Sequence, residues 1–138
     1  GTPYAQWTGV QFGADAGNPA IAGELADPDR DLVVNLLEYA LNLDPNVPLA
    51  ESGVPGHAGL PAGDPGAGDY ALVYRRNIAA SDLSFVVQES DDMGINDAWS
   101  PASVTETILS DDGQTQVVRA AVTIGSGESF FLRLAVTK

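Results

Sequence analysis

The sequence predicts an α+β protein in which a small helix-loop-helix unit is followed by an antiparallel β-sandwich. Apolar residues recur at helical spacing within residues 1–43 and alternate along short runs within residues 70–138. Residues 44–69 hold five Pro and six Gly, a composition that favours an extended connector. We therefore divide the chain at these boundaries into a helical unit, a Gly/Pro-rich connector and a sandwich.

The first predicted helix begins beside Thr2, which can act as an N-cap, and Pro3 suits the first helical position. Apolar residues then recur every three positions and are predicted to share one face of the helix: Tyr4, Trp7 and Val10. Gly13 is expected to end this helix. Short helices bury little surface by themselves, so we expect Trp7, Phe12, Leu37 and Leu41 to pack on each other or on the rest of the chain.

A second helix is predicted from about Val33 to Asn42. Its apolar residues lie at helical spacing: Leu36, Leu37, Ala40 and Leu41. Asp44-Pro45 is expected to end it, because the residue before a proline disfavours helical backbone angles.

The twelve residues from Asp27 to Glu38 carry oxygen-bearing side chains at the spacing of an EF-hand calcium loop. Loop positions 1, 3, 5, 9 and 12 are Asp27, Asp29, Asp31, Asn35 and Glu38. Ca²⁺ takes six to eight oxygen ligands, and alternate carboxylates on a tight loop closed by a Glu can surround it. We expect carboxylate oxygens from the three aspartates, the backbone carbonyl of Val33, Asn35 directly or through water, and both oxygens of Glu38.

Position 6 of such a loop is usually Gly, because the chain turns there with positive φ, whereas this sequence has Leu32. A Leu in left-handed geometry costs about 1 kcal/mol or more. Either the affinity for metal is lowered or the loop departs from EF-hand geometry. The alternative interpretation is that the Asp-Pro-Asp turn only caps the following helix, since Asp is a favoured N-cap and acids suit a helix N-terminus.

Five or six short strands are predicted after the connector. Alternating apolar residues mark three of them: Tyr70, Leu72 and Tyr74; Phe85 and Val87; Phe130, Leu132, Leu134 and Val136. Two further runs, residues 104–109 and 115–124, flank Ser110-Asp111-Asp112-Gly113, a hairpin signal in which Gly supplies positive φ. Strands joined by tight turns without a helix predict an antiparallel sandwich or half-sandwich.

Charge and composition exclude several classes of partner. A net charge of −13 excludes nucleic acids and anionic membranes, which need a basic face, and no apolar run approaches 18 residues, so no membrane insertion is expected. The absence of Cys excludes disulfides and thiolate metal sites.

The chain begins at Gly1 without a signal-like segment, and we expect a mature fragment or an excised domain. Because weak calcium sites suit calcium-rich extracellular surroundings, we expect a secreted or cell-surface location.

The motif Asp27-Pro28-Asp29-Arg30-Asp31, with Asn35-Leu36-Leu37-Glu38-Tyr39-Ala40-Leu41 after it, resembles the core of a C-terminal module of large secreted proteins of Verrucomicrobia and related bacteria. The sandwich half resembles that module through residues 83–90, Trp99 and residues 130–134. The module usually has Gly in place of Leu32. The loop alone is also similar to dockerin and thrombospondin type 3 calcium repeats. The resemblance implies a non-catalytic, calcium-binding accessory or spacer module, with the parent multidomain protein as its partner.

Residue patterns for catalysis are weak, and we predict that the chain is not an enzyme. No Ser lies in a G-x-S-x-G context, and the single histidine, His57, lies in the connector, where we expect it to be solvated. Adjacent acids, such as Asp91 with Asp92, are expected in turns, where they are solvated or supply a second cation site.

Two further features concern recognition. Trp99 leaves a module that binds sugar or protein open as the alternative function, because aromatic faces stack on sugar rings, although large aromatic residues are more often core. Arg75 and Arg76 are expected to pair with nearby acids, for instance Asp82 or Glu89 across a hairpin.

Overall fold

The computed structural model describes residues 1–47, 60–123 and 131–138. Over these ranges a small N-terminal helical part is followed by two antiparallel sheets, which confirms the predicted fold class. The helical elements are α1 (Pro3–Phe12), a 3₁₀ turn (Gly13–Gly17), α2 (Pro19–Ala22) and α3 (Asn35–Leu41). The strands are β1 (Ala62–Pro65), β2 (Asp69–Asn77), β3 (Ser84–Ser90), β4 (Ser100–Pro101), β5 (Thr105–Asp111), β6 (Thr115–Thr123) and β7 (Phe131–Thr137). His57 and Phe130 lie outside the described residues.

Helix α1 begins where the sequence predicts. The Thr2 hydroxyl accepts a hydrogen bond from the Ala5 N–H at 3.2 Å, and Gly13 ends the helix with a φ of 54°. Tyr4 is buried, but Val10 is 82 % exposed, so the predicted shared face does not extend to Val10. Three-residue steps fall about 60° short of a full turn, and two such steps carry Val10 away from the face that Tyr4 occupies.

Helix α3 is shorter than predicted because the chain is still extended at Val34, which occupies its N-cap position. Asn42 ends the helix in left-handed geometry, with a φ of 54°. A helix of seven residues is too short to be stable by itself, so α3 depends on its tertiary contacts.

The four-stranded sheet has the order β1-β2-β6-β5 and the three-stranded sheet the order β4-β3-β7. Strands β5 and β6 form the predicted hairpin, whose turn contains Gly113 with a φ of 86°. Strand β1 lies inside the range predicted as connector and pairs with β2 from Ala62↔Val73 to Pro65↔Tyr70. A strand that ends in proline suits this position at the edge of the sheet.

The two sheets enclose the larger apolar core. The four-stranded sheet contributes Leu72, Tyr74, Val118 and Ala120, the three-stranded sheet contributes Val87, and Phe85, Leu132 and Leu134 pack around them. This packing of inward-facing side chains from two sheets is what stabilises a β-sandwich.

A second apolar cluster joins the helical part to the turn between β2 and β3. It consists of Tyr4, Tyr39 and Ala80, with Trp7, Leu36 and Leu83 packed against them. The ring of Trp7 lies 5.3 Å from that of Tyr39 and 5.9 Å from that of Phe12. The expected packing of Trp7 and Phe12 is therefore present, and Tyr4 and Tyr39 are buried against this turn.

Arg76 pairs with an acid as predicted, although the acid is Glu106 and not Asp82 or Glu89, whereas the hydrogen bonds of Arg75 go to backbone carbonyls. Arg75 donates hydrogen bonds to the carbonyls of Leu41 and Asn42, both at 3.0 Å, whereas Arg76 binds Gln116 and lies 3.7 Å from Glu106. Successive side chains of a strand point to opposite faces, so the two arginines of β2 reach different neighbours. Arg75 thus stabilises the C-terminal end of α3, where carbonyls lack helical partners.

Candidate metal site

The acidic loop projects from a backbone clamp between the end of α2 and the start of α3. The Asn35 N–H donates to the Ala26 carbonyl at 2.9 Å, and the Leu36 N–H donates to the Glu24 carbonyl at 3.0 Å. These two bonds hold the ends of the loop together and place residues 27–34 as a compact turn beside α3.

Hydrogen bonds from the backbone to Asp27 fold the loop. The two carboxylate oxygens of Asp27 accept the N–H groups of Asp31 at 3.2 Å and Leu32 at 2.9 Å. Asp31 in turn accepts the Val33 N–H at 2.8 Å. Although partial desolvation of Asp27 opposes it, the bond from Leu32 and the other hydrogen bonds lower the pKa of this carboxyl, so Asp27 is ionised.

The three aspartates form one group. Asp27, Asp29 and Asp31 each place a carboxylate oxygen within 4.8 Å of the other two, and all three side chains are half-buried. This group could hold a metal ion, because oxygens at such separations can contact one cation together.

Two further side chains of the predicted loop lie in the first turn of α3 and are fully buried. Asn35 and Glu38 are each 0 % exposed. Both Glu38 carboxylate oxygens, both Asp29 carboxylate oxygens and Asn35 Oδ1 are buried without a hydrogen-bond partner. Among the described residues, these are the buried side-chain polar atoms without a partner, and all of them belong to the loop. A buried carboxylate without a partner is costly, so this arrangement requires either protons or a cation.

The pKa values of two loop carboxyls also reflect the crowding of negative charge. Burial first, then the charges of Asp29, Asp31 and Asp27, raise the pKa of Glu38 to about 8. Burial and the neighbouring carboxyls of Asp27 and Asp31 raise the pKa of Asp29 to about 6. A divalent cation bound among these carboxyls would favour their ionised forms and so oppose both pKa shifts.

Asn35 is oriented by the end of α2. Its Nδ2 donates to the Ile21 carbonyl at 2.7 Å and to the Gly23 carbonyl at 2.9 Å. These two bonds determine which way the amide faces, and they leave Oδ1 as an acceptor without a partner. No local sequence pattern indicates this support, because the carbonyl partners lie 14 and 12 residues earlier in the chain.

Leu32 has the left-handed geometry that Gly usually provides, with a φ of 72° and a side chain that is 94 % exposed. Arg30 also has a positive φ, of 59°. The loop therefore keeps its turn at position 6 despite the branched side chain, at a cost of about 1–2 kcal/mol.

The capping interpretation of the loop does not match the geometry. Helix α3 has Val34 at its N-cap and no side-chain hydrogen bond there, so none of the aspartates caps it. Val33, the predicted carbonyl ligand, is 7 % exposed and lies directly before this cap. The carboxylates of Asp27 and Asp31 instead accept hydrogen bonds from backbone N–H groups within the loop.

The acidic turn after β3 differs from this loop because Asp92 and Ser90 have hydrogen-bond partners within it. Asp92 accepts hydrogen bonds from the N–H groups of Ile95, Asn96 and Asp97. Ser90, which is 1 % exposed, donates to the Asp97 carbonyl at 2.7 Å. These contacts make the segment a closed turn.

Trp99 is half-buried beside this turn. The guanidinium carbon of Arg133 lies 4.4 Å from the Trp99 ring centroid. A cation over the ring occupies the face on which a sugar would stack.

Comparisons with protein-family profiles, with curated proteins and with solved structures found no match for this chain. Among the described residues, no helix is both long and apolar enough to cross a membrane. Fold and site together define a β-sandwich protein with a small helical part whose aspartate group could hold a metal ion.

Proposed function

We propose that this chain is a non-catalytic calcium-binding accessory or spacer module of a secreted multidomain protein, with residues 27–38 as the calcium loop. The observation that carries the proposal is Glu38, a fully buried carboxylate without a hydrogen-bond partner beside three aspartates. Such a group is stabilised by a cation and destabilised without one.

The donor set supports calcium over other metals. The predicted ligands are all oxygens: carboxylates of Asp27, Asp29, Asp31 and Glu38, the amide oxygen of Asn35 and the carbonyl of Val33. Hard oxygen donors suit Ca²⁺, Mg²⁺ and Mn²⁺ rather than the metals that prefer thiolate or imidazole. Six or seven protein oxygens on an irregular loop favour Ca²⁺, since Mg²⁺ requires near-ideal octahedral geometry and keeps several waters.

The accessory role rests on the resemblance of the loop and sandwich to a C-terminal module of secreted proteins. The described residues support it indirectly, because several acidic groups outside the loop, such as Asp92 and Asp64, are bonded in turns or ion pairs. A recognition function at Trp99 has less support, because Arg133 lies over its ring.

Calcium titration by isothermal calorimetry, with melting curves, tests the proposal. A ligand that binds only the folded state at a hundredfold excess over Kd adds about 2.7 kcal/mol to the free energy of unfolding, so Tm should rise with calcium and much less with magnesium. Glu38→Gln should remove the calcium shift because it removes the bidentate closure. Glu106→Gln, at an exposed carboxylate on β5, is the matched control and should keep it. Absence of both binding heat and a Tm shift in millimolar calcium would exclude the proposal.

A further inference from the structure

Helix α3 contributes Asn35 and Glu38 to the acidic loop. Through Tyr39 and its C-terminal carbonyls it also contacts Asn77, Asp82 and Arg75 of the sandwich, and we call this interface between the helical part and the sandwich the joint. We infer that occupancy of the loop by a cation controls how firmly the helical part docks on the sandwich, with α3 transmitting the effect. The inference rests on the proposed function, because it concerns the regulation that follows from that same site.

The first contribution of α3 is to the loop. Asn35 and Glu38 lie three positions apart, so both side chains occupy one face of the helix. Their unpartnered oxygens are fully buried. Any movement of the first turn of α3 therefore moves these two predicted ligands.

The second contribution of α3 is to the joint. The Tyr39 hydroxyl donates to Asp82 at 2.6 Å, and the Tyr39 carbonyl accepts from Asn77 Nδ2 at 2.9 Å. Arg75 binds the carbonyls of Leu41 and Asn42 at the other end of the helix. Tyr39 directly follows Glu38 in the chain, so the joint begins one residue from the predicted closing ligand.

The contacts at the C-terminal end of α3 continue into the sheet. Asn42 Nδ2 donates to the hydroxyl of Thr115, the first residue of β6, at 2.6 Å. Arg75 and Thr115 are therefore sandwich residues that bind α3 without belonging to the metal loop.

When the loop holds no cation, the loop and the joint favour different positions of α3. The Glu38 carboxyl is then buried without a partner beside three aspartates, and displacing the first turn of α3 returns it to water and away from them. A seven-residue helix cannot fray at one end and keep its full set of contacts at the other. A cation that holds Glu38 in place therefore also favours the docked position of Tyr39 and the C-terminal carbonyls.

Thermodynamic linkage makes this coupling reciprocal. If calcium strengthens docking, then weakening the docking contacts must weaken calcium binding by the same factor. A substitution in the sandwich, away from the loop, should thus change the affinity of the loop for calcium.

Arg75→Met is the variant for this test, because it removes the donors to Leu41 and Asn42 and keeps an aliphatic stem. Arg76→Met is the matched control on the same strand, since Arg76 binds Gln116 and Glu106 in the sheets and not the helical part. By calcium titration of the full chain, Arg75→Met should raise Kd about fivefold or more, whereas Arg76→Met should leave it within about twofold. Thr115→Val, which removes the acceptor of Asn42, should also raise Kd and serves if Arg75→Met does not fold.

Amide hydrogen exchange provides the second readout. Calcium should slow exchange in residues 35–42 and in residues 77–83 of the joint, relative to chelator, while β5 and β6 exchange alike in both. If the wild-type chain binds no calcium, the proposed function fails. If the wild-type chain binds calcium, two results together refute the coupling but not the metal site. The folded Arg75→Met and Thr115→Val variants keep the wild-type Kd, and amide exchange in residues 77–83 is the same with calcium as with chelator.

Discussion

The hydroxyl of Tyr39 and the carboxylate of Asp82 form a 2.6 Å hydrogen bond although the residues lie 43 positions apart. The other oxygen of Asp82 accepts the N–H of Tyr4 at 3.2 Å, so one carboxylate binds both α1 and α3. Burial first, then the bond to Asp82, raise the pKa of the Tyr39 hydroxyl, which therefore remains a donor. Asp82 is thus the polar centre of the joint between the helical part and the sandwich.

Tyr39→Phe should lower the free energy of unfolding by about 1–3 kcal/mol, because a hydrogen bond to a charged acceptor is lost. Urea denaturation measures this change. Asp82→Asn alone should also destabilise the chain, and the double variant should lose less than the sum of the two single changes. Strictly additive effects would show that the two side chains do not stabilise each other.

Removal of calcium should loosen the helical part and expose Trp7. The expected cause is repulsion among the loop carboxylates, which no disulfide can oppose in a chain without Cys. With chelator, limited proteolysis should cut the region before residue 70 first, while the sandwich half survives longer. Trp fluorescence should shift to longer wavelength at the same time. Identical fragments with and without chelator would contradict this prediction.

The metal-free protein should become less stable as pH rises from about 4.5 to about 8. The pKa of Glu38 is raised from 4.5 to about 8 in the folded chain, so between these values the folded state binds more protons than the unfolded state. The free energy of unfolding then falls with pH, by up to about 1.4 kcal/mol per pH unit for one group.

Melting curves recorded in chelator across this pH range measure the slope. Glu38→Gln should flatten the slope, because the amide does not titrate, while the smaller effect of Asp29 remains between pH 3.8 and about 6. Stability that rises over this range, or a slope unchanged by Glu38→Gln, is incompatible with an ionisable, buried Glu38.

Leu32→Gly should be more stable than Leu32→Ala, by about 0.5–1 kcal/mol. Glycine adopts a positive φ without a clash, whereas alanine keeps the Cβ that causes the strain, and the entropy of glycine in the unfolded chain reduces the difference. Both variants remove the same exposed Leu side chain, so the comparison isolates the backbone. Equal urea midpoints for the two variants would mean that position 32 carries no strain.

Local chemistry allowed much of the fold to be predicted. Thr2 and Pro3 mark the start of α1 because capping depends on neighbouring residues alone. The alternation of Leu72 with Tyr74 assigns both to the sandwich core, since the period of a strand is a property of the backbone. The spacing of Asp27, Asp29 and Asp31 likewise predicts one group of carboxylates, because a tight loop brings alternate residues together.

Contacts between distant segments decided the rest. No local pattern could show that Glu38 and Asn35 have buried oxygens without partners, because burial depends on how α2 and the sandwich pack around α3. The same holds for Arg75, whose carbonyl partners lie more than thirty positions earlier in the chain. The sequence by itself determined which residues could bind a cation. The tertiary structure decided which of them are deprived of water, and a carboxylate buried without a partner is stabilised only by a proton or a cation.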